Sequence, residues 1–321
     1  MAQVLRPLIE KFRPQDHPNL LAGVTDDAAV YKLDNETAVV MTLDFFPPVV
    51  GDPWTYGAIA AANAMSDVYA MGAEVVLCLN IAGFPDGMDP SILTSVFTGG
   101  ADKVAEAGGI IAGGHTVIDA EPKYGLSIMG ICRPDALITK TGARPGDVLI
   151  LTKALGTGLI LTASKRDLVS PDHLQEAVDS MLLLNRHASH VAKEAGAHAL
   201  TDVTGFGIIG HALEIADHSG VQLELSFAAL PLLTGALGYA TAGVDFGGVN
   251  RNRNQLGPRA TVDESLDEIA HRLLFDPQTS GGLLMAVEPA LVETTLEHLR
   301  QSGRATVIGR VLEGSGLRVI P

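Results

Sequence analysis

At 321 residues, with 47% hydrophobic and 18% charged side chains, the chain is long enough for two packed domains. A formal net charge of −15 with no Lys/Arg block excludes a general basic surface for nucleic acid or anionic membrane. The 35 glycines fall in short motifs rather than a low-complexity tract, so they mark tight turns and close backbone approaches, not disorder. So acidic a protein handles phosphates only with cations interposed, and Mg²⁺ is the expected one. Cys78 and Cys132 lie in apolar β-like runs and spell neither a disulfide framework nor a zinc site; a reducing, cytoplasmic setting is expected. The N-terminal MAQVLRPLIEKFRPQ lacks the apolar core of a signal peptide. No run of about 18 apolar residues offers a membrane span, so a soluble protein with no membrane partner is expected.

In chain order, Val4, Leu5, Leu8, Ile9 and Phe12 follow helical spacing and predict a short helix over 2–13. Residues 28–33 and 37–44 predict two strands joined at Asp34-Asn35, a hairpin. Acids stand at both of its ends. Asp26 and Asp27 precede the first strand, where ordinary turn chemistry also suits them. Asp44 closes the second, before Phe45-Phe46-Pro47-Pro48, where a lone charge is poorly solvated.

The stretch from Asp52 to Gly72 predicts the central helix, with Asp52 as N-cap, Pro53 at the first position and Gly72 at the C-terminal cap. Its Ala-rich interior favours helix. Asn63 and Asp67, four apart, share one face. In so apolar a helix they are candidate oxygen ligands for a hard cation, although a pair turned to solvent has the same spacing. Residues 74–84 read as a strand, and 90–107 as a helix weakened by Gly99-Gly100. Residues 110–112 read as a short buried strand ending in Gly113-Gly114-His115-Thr116. There glycine lets backbone N–H groups approach an anion, and His115 and Thr116 add donors; a plain turn uses the same residues. Residues 124–133 complete the half as a strand.

Pro, Gly and charge at 134–146 place the domain boundary near Arg144, giving domains 1–144 and 145–321. Beyond it, DVLILTK predicts a strand, 154–158 a loop, and 172–195 one long helix. ALTDVTGFGIIG predicts a strand ending in the acid Asp202, then a glycine turn into a helix that carries His211 as a packing residue. A strand VQLELSF, a Gly/Asn loop at 247–257 holding Arg251 and Asn252, a helix at 266–274 and a strand LLMAV follow. A helix at 289–301 and two short strands close the chain. DPQTSGGLL reads as a turn before a strand, with no catalytic part. This alternation predicts α/β or α+β layers in both halves.

Asp27, Asp44, Asp67 and Asp202 each stand at an element end or in an Ala/Gly-rich setting, and only folding around shared cations would let such charges meet. Taken together, DDAAV, TLDFFPPVV, AAANAMSDVYAMGA, GGHT, TDVTGFGIIGH and DPQTSGGLL resemble, in order and spacing, the selenophosphate synthetase (selenide, water dikinase) family across residues 19–310. DDAAV and the SD-x-x-A-M-G pattern are shared with a wider superfamily that includes aminoimidazole ribonucleotide synthetase and thiamine-monophosphate kinase. TDVTGFGIIGH, DPQTSGGLL and GGHT in combination are the specific part.

The resemblance implies a two-domain aminoimidazole ribonucleotide synthetase-like fold and a homodimer whose N-terminal domains pair through a β-barrel. It implies ATP and selenide as substrates and several Mg²⁺ ions. By motif, Asp27, Asp44, Asp67 and Asp202 would hold the metals, with Asn63 in support. Asp27, Asp44, Asp67, Gly114, His115 and Thr116 would bind ATP. The implied chemistry is attack of hydrogen selenide on the γ-phosphate, then hydrolysis of the β-phosphate, leaving selenophosphate, orthophosphate and AMP.

Members of the family also carry an N-terminal glycine-rich loop with a catalytic Cys or selenocysteine and then a Lys. This chain opens at Met1, near where that loop would end; Cys78 and Cys132 lie in strand-like runs and Lys11 in the predicted helix, so no catalytic residue is assigned. Start-site truncation at a selenocysteine codon is the preferred reading, over loss of a mobile segment or a silent nucleotide-binding paralogue. The chain is accordingly expected to bind Mg·ATP with little selenide-dependent activity. A related small-molecule kinase, such as thiamine-monophosphate kinase, is the other enzyme reading.

Overall fold

The computed structural model describes residues 7–8, 11–13, 16–244 and 247–321, which divide into two units, Met1–Thr139 and Lys140–Pro321. The helix expected over 2–13 falls largely outside the described residues.

In the first unit, strands β1 (Leu20–Ala22), β2 (Ala29–Lys32), β3 (Ala38–Phe46), β4 (Glu74–Phe84), β5 (Ile110–Ile118) and β6 (Lys123–Cys132) form one sheet. Its order is β1-β2-β3-β6-β4-β5. The expected hairpin is present, with β2 antiparallel to β3 and Val30 opposite Val40. Alternation along β3 sorts the two faces. Ala38 and Val40 are buried while Met41, Leu43 and Phe45 are exposed, so Thr42 and Asp44 share the covered face.

Helix α1 (Pro53–Ala70) covers that face. Asp52 caps it as expected, its Oδ2 accepting from the Thr55 N–H at 2.8 Å. Against α1 packs α2 (Pro90–Glu106), and here the structure corrects the sequence reading. Gly99-Gly100 is not a weak spot in α2 but its contact surface. A Cβ on Gly99 would stand 2.0 Å from the Trp54 carbonyl oxygen, and one on Gly57 of α1 would stand 1.9 Å from that of Val96. The two backbones touch, and only glycine allows it.

A second correction concerns β5. Gly113-Gly114-His115-Thr116 is not a turn after a buried strand; it lies inside a nine-residue, largely exposed edge strand. Parallel pairing with β4 continues past the glycines across a one-residue register shift between Ile111 and Gly114, with Asn80 opposite Gly114 and Ile81 opposite His115. Gly114 takes φ +152, and a Cβ there would meet the Asn80 carbonyl oxygen at 2.3 Å.

The second unit holds a seven-stranded mixed sheet, ordered β10-β13-β9-β12-β7-β11-β8. Its strands are β7 (Val148–Leu151), β8 (Ala199–Asp202), β9 (Gln222–Ser226), β10 (Ala260–Val262), β11 (Leu283–Val287), β12 (Thr306–Leu312) and β13 (Gly316–Ile320). Helices α3 (Thr157–Lys165), α4 (Pro171–Leu182), α5 (Arg186–Glu194) and α6 (Gly207–Ser219) come first. They are followed by α7 (Ala236–Thr241), α8 (Gly247–Leu256), α9 (Glu268–Leu274) and α10 (Val292–Leu299). Leu149 and Leu151 of β7, Leu284 of β11 and Ile209 and Leu213 of α6 belong to one buried apolar cluster.

Two expectations fail in this unit for tertiary reasons. The single helix over 172–195 is broken into α4 and α5 at Leu183–Asn185. Its break supplies partners: the Leu183 carbonyl accepts from buried Lys153 Nζ at 2.6 Å, and buried Asn185 donates to the Gly281 carbonyl at 2.8 Å. The Gly/Asn loop at 247–257 is helix α8. Asn252 is buried on it and donates to the carbonyls of Gly205 at 2.9 Å and Phe275 at 3.2 Å, while Arg251 is exposed.

Candidate functional site

In the first unit, four polar side chains meet between β3 and α1. Asn63 and Asp67 stand one helical turn apart on the face of α1 that meets the sheet, and Thr42 and Asp44 stand two apart on the facing side of β3. Asn63 is only 5% exposed. Its side-chain amide donates to Oδ2 of Asp44. The Thr42 hydroxyl donates to Oδ2 of Asp67 at 2.5 Å. Of the two openings left by the sequence, the face turned inward is the one observed.

Asp27, on the turn before β2, adds a third carboxylate. Its backbone N–H donates to Oδ1 of Asp26 at 2.9 Å, an Asx contact that shapes this turn. A carboxylate oxygen of Asp27 lies within 4.8 Å of one of Asp67. Carboxylates this close raise each other's energy unless a cation lies between them. Every donor here is oxygen or amide, the ligand chemistry of hard divalent cations rather than of zinc.

Thr42 is the residue sequence reasoning missed. A signal for it existed, because it precedes Asp44 by two in a strand and must share its face.

Gly114, His115 and Thr116 stand apart from this group within the unit. The edge strand β5 is three positions from β3 in the sheet, about 14 Å at the usual strand spacing. All three are exposed. Cys78 is buried in β4, and burial pushes its thiol up to about 12, far from thiolate character at neutral pH. Cys132 is half-buried on β6, and neither cysteine is in a disulfide.

In the second unit, Asp202 ends β8 opposite Leu283 of β11. It is 1% exposed, and among the described residues its Oδ2 has no hydrogen-bond partner. A turn after it leads to α6, where buried His211 lies 3.3 Å from the Thr204 hydroxyl through Nε2 and 3.2 Å from Glu214 through Nδ1. Buried Lys140 donates to the same Glu214 oxygen at 2.7 Å. Burial alone would raise the Glu214 carboxyl, but the hydrogen bonds and charges of His211 and Lys140 outweigh it and hold it down at about 2.

The DPQTSGG segment closes the N-terminus of α3. Oε1 of Gln278 accepts from the N–H of Gly156 at 3.0 Å, the N–H of Thr157 at 3.2 Å and the Thr157 hydroxyl at 3.0 Å. Its amide nitrogen donates to Oδ2 of Asp276 at 2.9 Å. Asp276 is fully buried, and that burial pushes its carboxyl up to about 7 against the pull of Gln278 and the first N–H groups of α3.

The chain matches two protein families in succession. Residues 25–132 match the AIR synthase related protein N-terminal domain, and residues 144–320 match the corresponding C-terminal domain. It is 48% identical over 299 residues to a selenide, water dikinase of Caldanaerobacter subterraneus subsp. tengcongensis, covering 92% of this chain and 86% of that protein. To a selenide, water dikinase of Agathobacter rectalis it is 45% identical over 304 residues, covering 94% and 89%. Among solved structures, thiamine-monophosphate kinase from Stenotrophomonas maltophilia K279a superposes with a TM-score of 0.71 at 20% identity, covering 98% of this chain and 95% of that one, which establishes the fold alone. Two AIR synthase-type α+β domains and this degree of identity lead to one conclusion: the chain belongs to the selenide, water dikinase family.

Proposed function

We propose that this chain makes selenophosphate from selenide, ATP and water, releasing AMP and orthophosphate. Relatives sharing 48% and 45% identity bear the name of that phosphotransferase. The observation that carries the site is the convergence of Asp44, Asn63, Asp67 and Asp27 in one unit, an oxygen-rich set in a chain of net charge −15.

Mg²⁺ fits this donor set, and when bound it supplies charge neutralisation along the triphosphate. Asp27, Asp44 and Asp67 hold the ions in this reading, and Asn63 fixes Asp44. The residues position charge and exclude water. Selenide itself is the nucleophile toward the γ-phosphate, so no protein nucleophile is required for that step. Neither Cys78 nor Cys132 has a part in it.

The reading includes a homodimer. Tyr31, Met41, Leu43, Phe45, Leu79 and Ile131 leave the uncovered face of the six-stranded sheet apolar and exposed, and pairing of two such faces buries them. Gly114, His115 and Thr116, on the edge strand bordering that face, would then contact nucleotide phosphate in the other subunit's site. Two cysteines that form no disulfide fit a reducing cytoplasm. Among the described residues, no helix is long and apolar enough to cross a membrane.

The test is product analysis by phosphorus NMR with Mg·ATP alone, with added selenide, and with added thiamine monophosphate. Selenophosphate and AMP in the selenide arm only, formed slowly, are the expected outcome. ADP formation driven by thiamine monophosphate, with no AMP in any arm, would overturn it.

A further inference from the structure

We infer that Thr42 is a positioning residue for Asp67, presenting that carboxylate to a divalent cation; this deepens the proposed function and rests on its reading of the acids as a cation site. A carboxylate can only accept, so in the 2.5 Å contact the Thr42 hydroxyl must donate, which ties up one lone pair on Oδ2 and orients the group.

The donor is rigidly held. Thr42 lies mid-strand in β3, paired with Ile128 of β6, and its carbonyl accepts from the Ser127 hydroxyl at 3.3 Å. As a β-branched residue in a strand it has few rotamers to lose. Asp67, by contrast, is half-buried on a helix, and its two side-chain torsions give the Thr42 donor a direction to fix. Asp44 receives the equivalent service from Asn63, so each of the two acids is oriented by a neutral donor on the opposite element. Hydrogen bonds to ligating carboxylates are worth 10–100-fold in metal affinity as an order of magnitude.

Manganese ion alone, titrated by electron paramagnetic resonance, is the probe. Thr42→Val keeps the shape and strand preference but removes the donor, and should raise the Mn²⁺ dissociation constant by about 10–100-fold without changing the number of sites at saturation. Thr42→Ser should bind within about threefold of the wild type, because the donor remains. A merely structural role would lower the saturating stoichiometry, through loss of folded protein, and leave the midpoint where it was. That result overturns the inference. Asp67→Asn is measured alongside. Wild-type binding by T42V with loss in D67N overturns the role of Thr42 and leaves the cation site standing; wild-type binding by both variants overturns both. Should the valine variant not fold, Thr42→Ala against Thr42→Ser decides the same question, weak binding by the first and near-normal binding by the second supporting the inference, and equal binding refuting it.

Discussion

The side-chain amide of Asn63 donates a hydrogen bond to Oδ2 of Asp44, joining the central helix of the first unit to the strand beneath it. It links an apolar, Ala-rich helix to an acid that a lone strand end would solvate poorly. Asn63→Leu keeps the size but deletes the donor. Mg·ATP affinity should fall about 10–100-fold, and stability by roughly 1–3 kcal/mol as the half-buried carboxylate loses this donor. Calorimetric titration and urea unfolding measure the two effects, and an unchanged affinity would reduce Asn63 to a packing role.

Helix α1 meets α2 through backbone, not side chains. Gly57→Ala and Gly99→Ala each push a methyl group to within 2.0 Å of a carbonyl oxygen that cannot move without its helix. Each should cost about 1–3 kcal/mol or more in denaturant unfolding. Gly51→Ala, with nothing within 4 Å of the new atom, is the control and should stay within about 0.5 kcal/mol of the wild type. Equal behaviour of all three would show that the helices can part at no cost.

Stability should depend on pH with opposite slopes at two buried acids. Asp276 is raised by burial from 3.8 to about 7 in the folded chain. Between those values the folded state keeps a proton that the unfolded state has released, so this contribution is full below about 4 and is lost as pH rises through 7, by at most about 4 kcal/mol. Glu214 is lowered from 4.5 to about 2, so its contribution is present above 4.5 and lost as pH falls toward 2. Asp276→Asn should flatten the upper limb and Glu214→Gln the lower one. Urea midpoints from pH 3 to 8 read both, and an upper slope that survives D276N would remove Asp276 as its source.

The exposed sheet face carries the prediction about assembly. Leu43 is 55% exposed and Met41 51%. A charge at either position stays open to water in the single chain but would be buried in the proposed dimer. Leu43→Glu should sediment as a monomer while its first unit melts within about 1 kcal/mol of the wild type. A wild-type chain that is itself monomeric at micromolar concentration would sink the dimer.

What the sequence alone determined was local. Asp52 and Pro53 start a helix wherever the chain places them, because a cap satisfies orphan N–H groups within a few residues. Alternation of Val40 with Met41 makes β3 a two-faced strand, and the spacing of Asn63 and Asp67 puts both on one side of α1, for the same short-range geometric reasons. Tertiary structure decided what those faces meet. Gly113-Gly114 reads as a turn until Asn80 of β4 pairs alongside and extends it, and 172–195 reads as one helix until Lys153 and Gly281 claim groups at its break. Thr42 and Asp67 are 25 residues apart and Asp27 and Asp67 are 40 apart, and no local propensity brings such pairs to hydrogen-bond or ion-pair range. Only burial of the Ala-rich face of α1 against the sheet does that, turning two ordinary spacings into one cluster of acids.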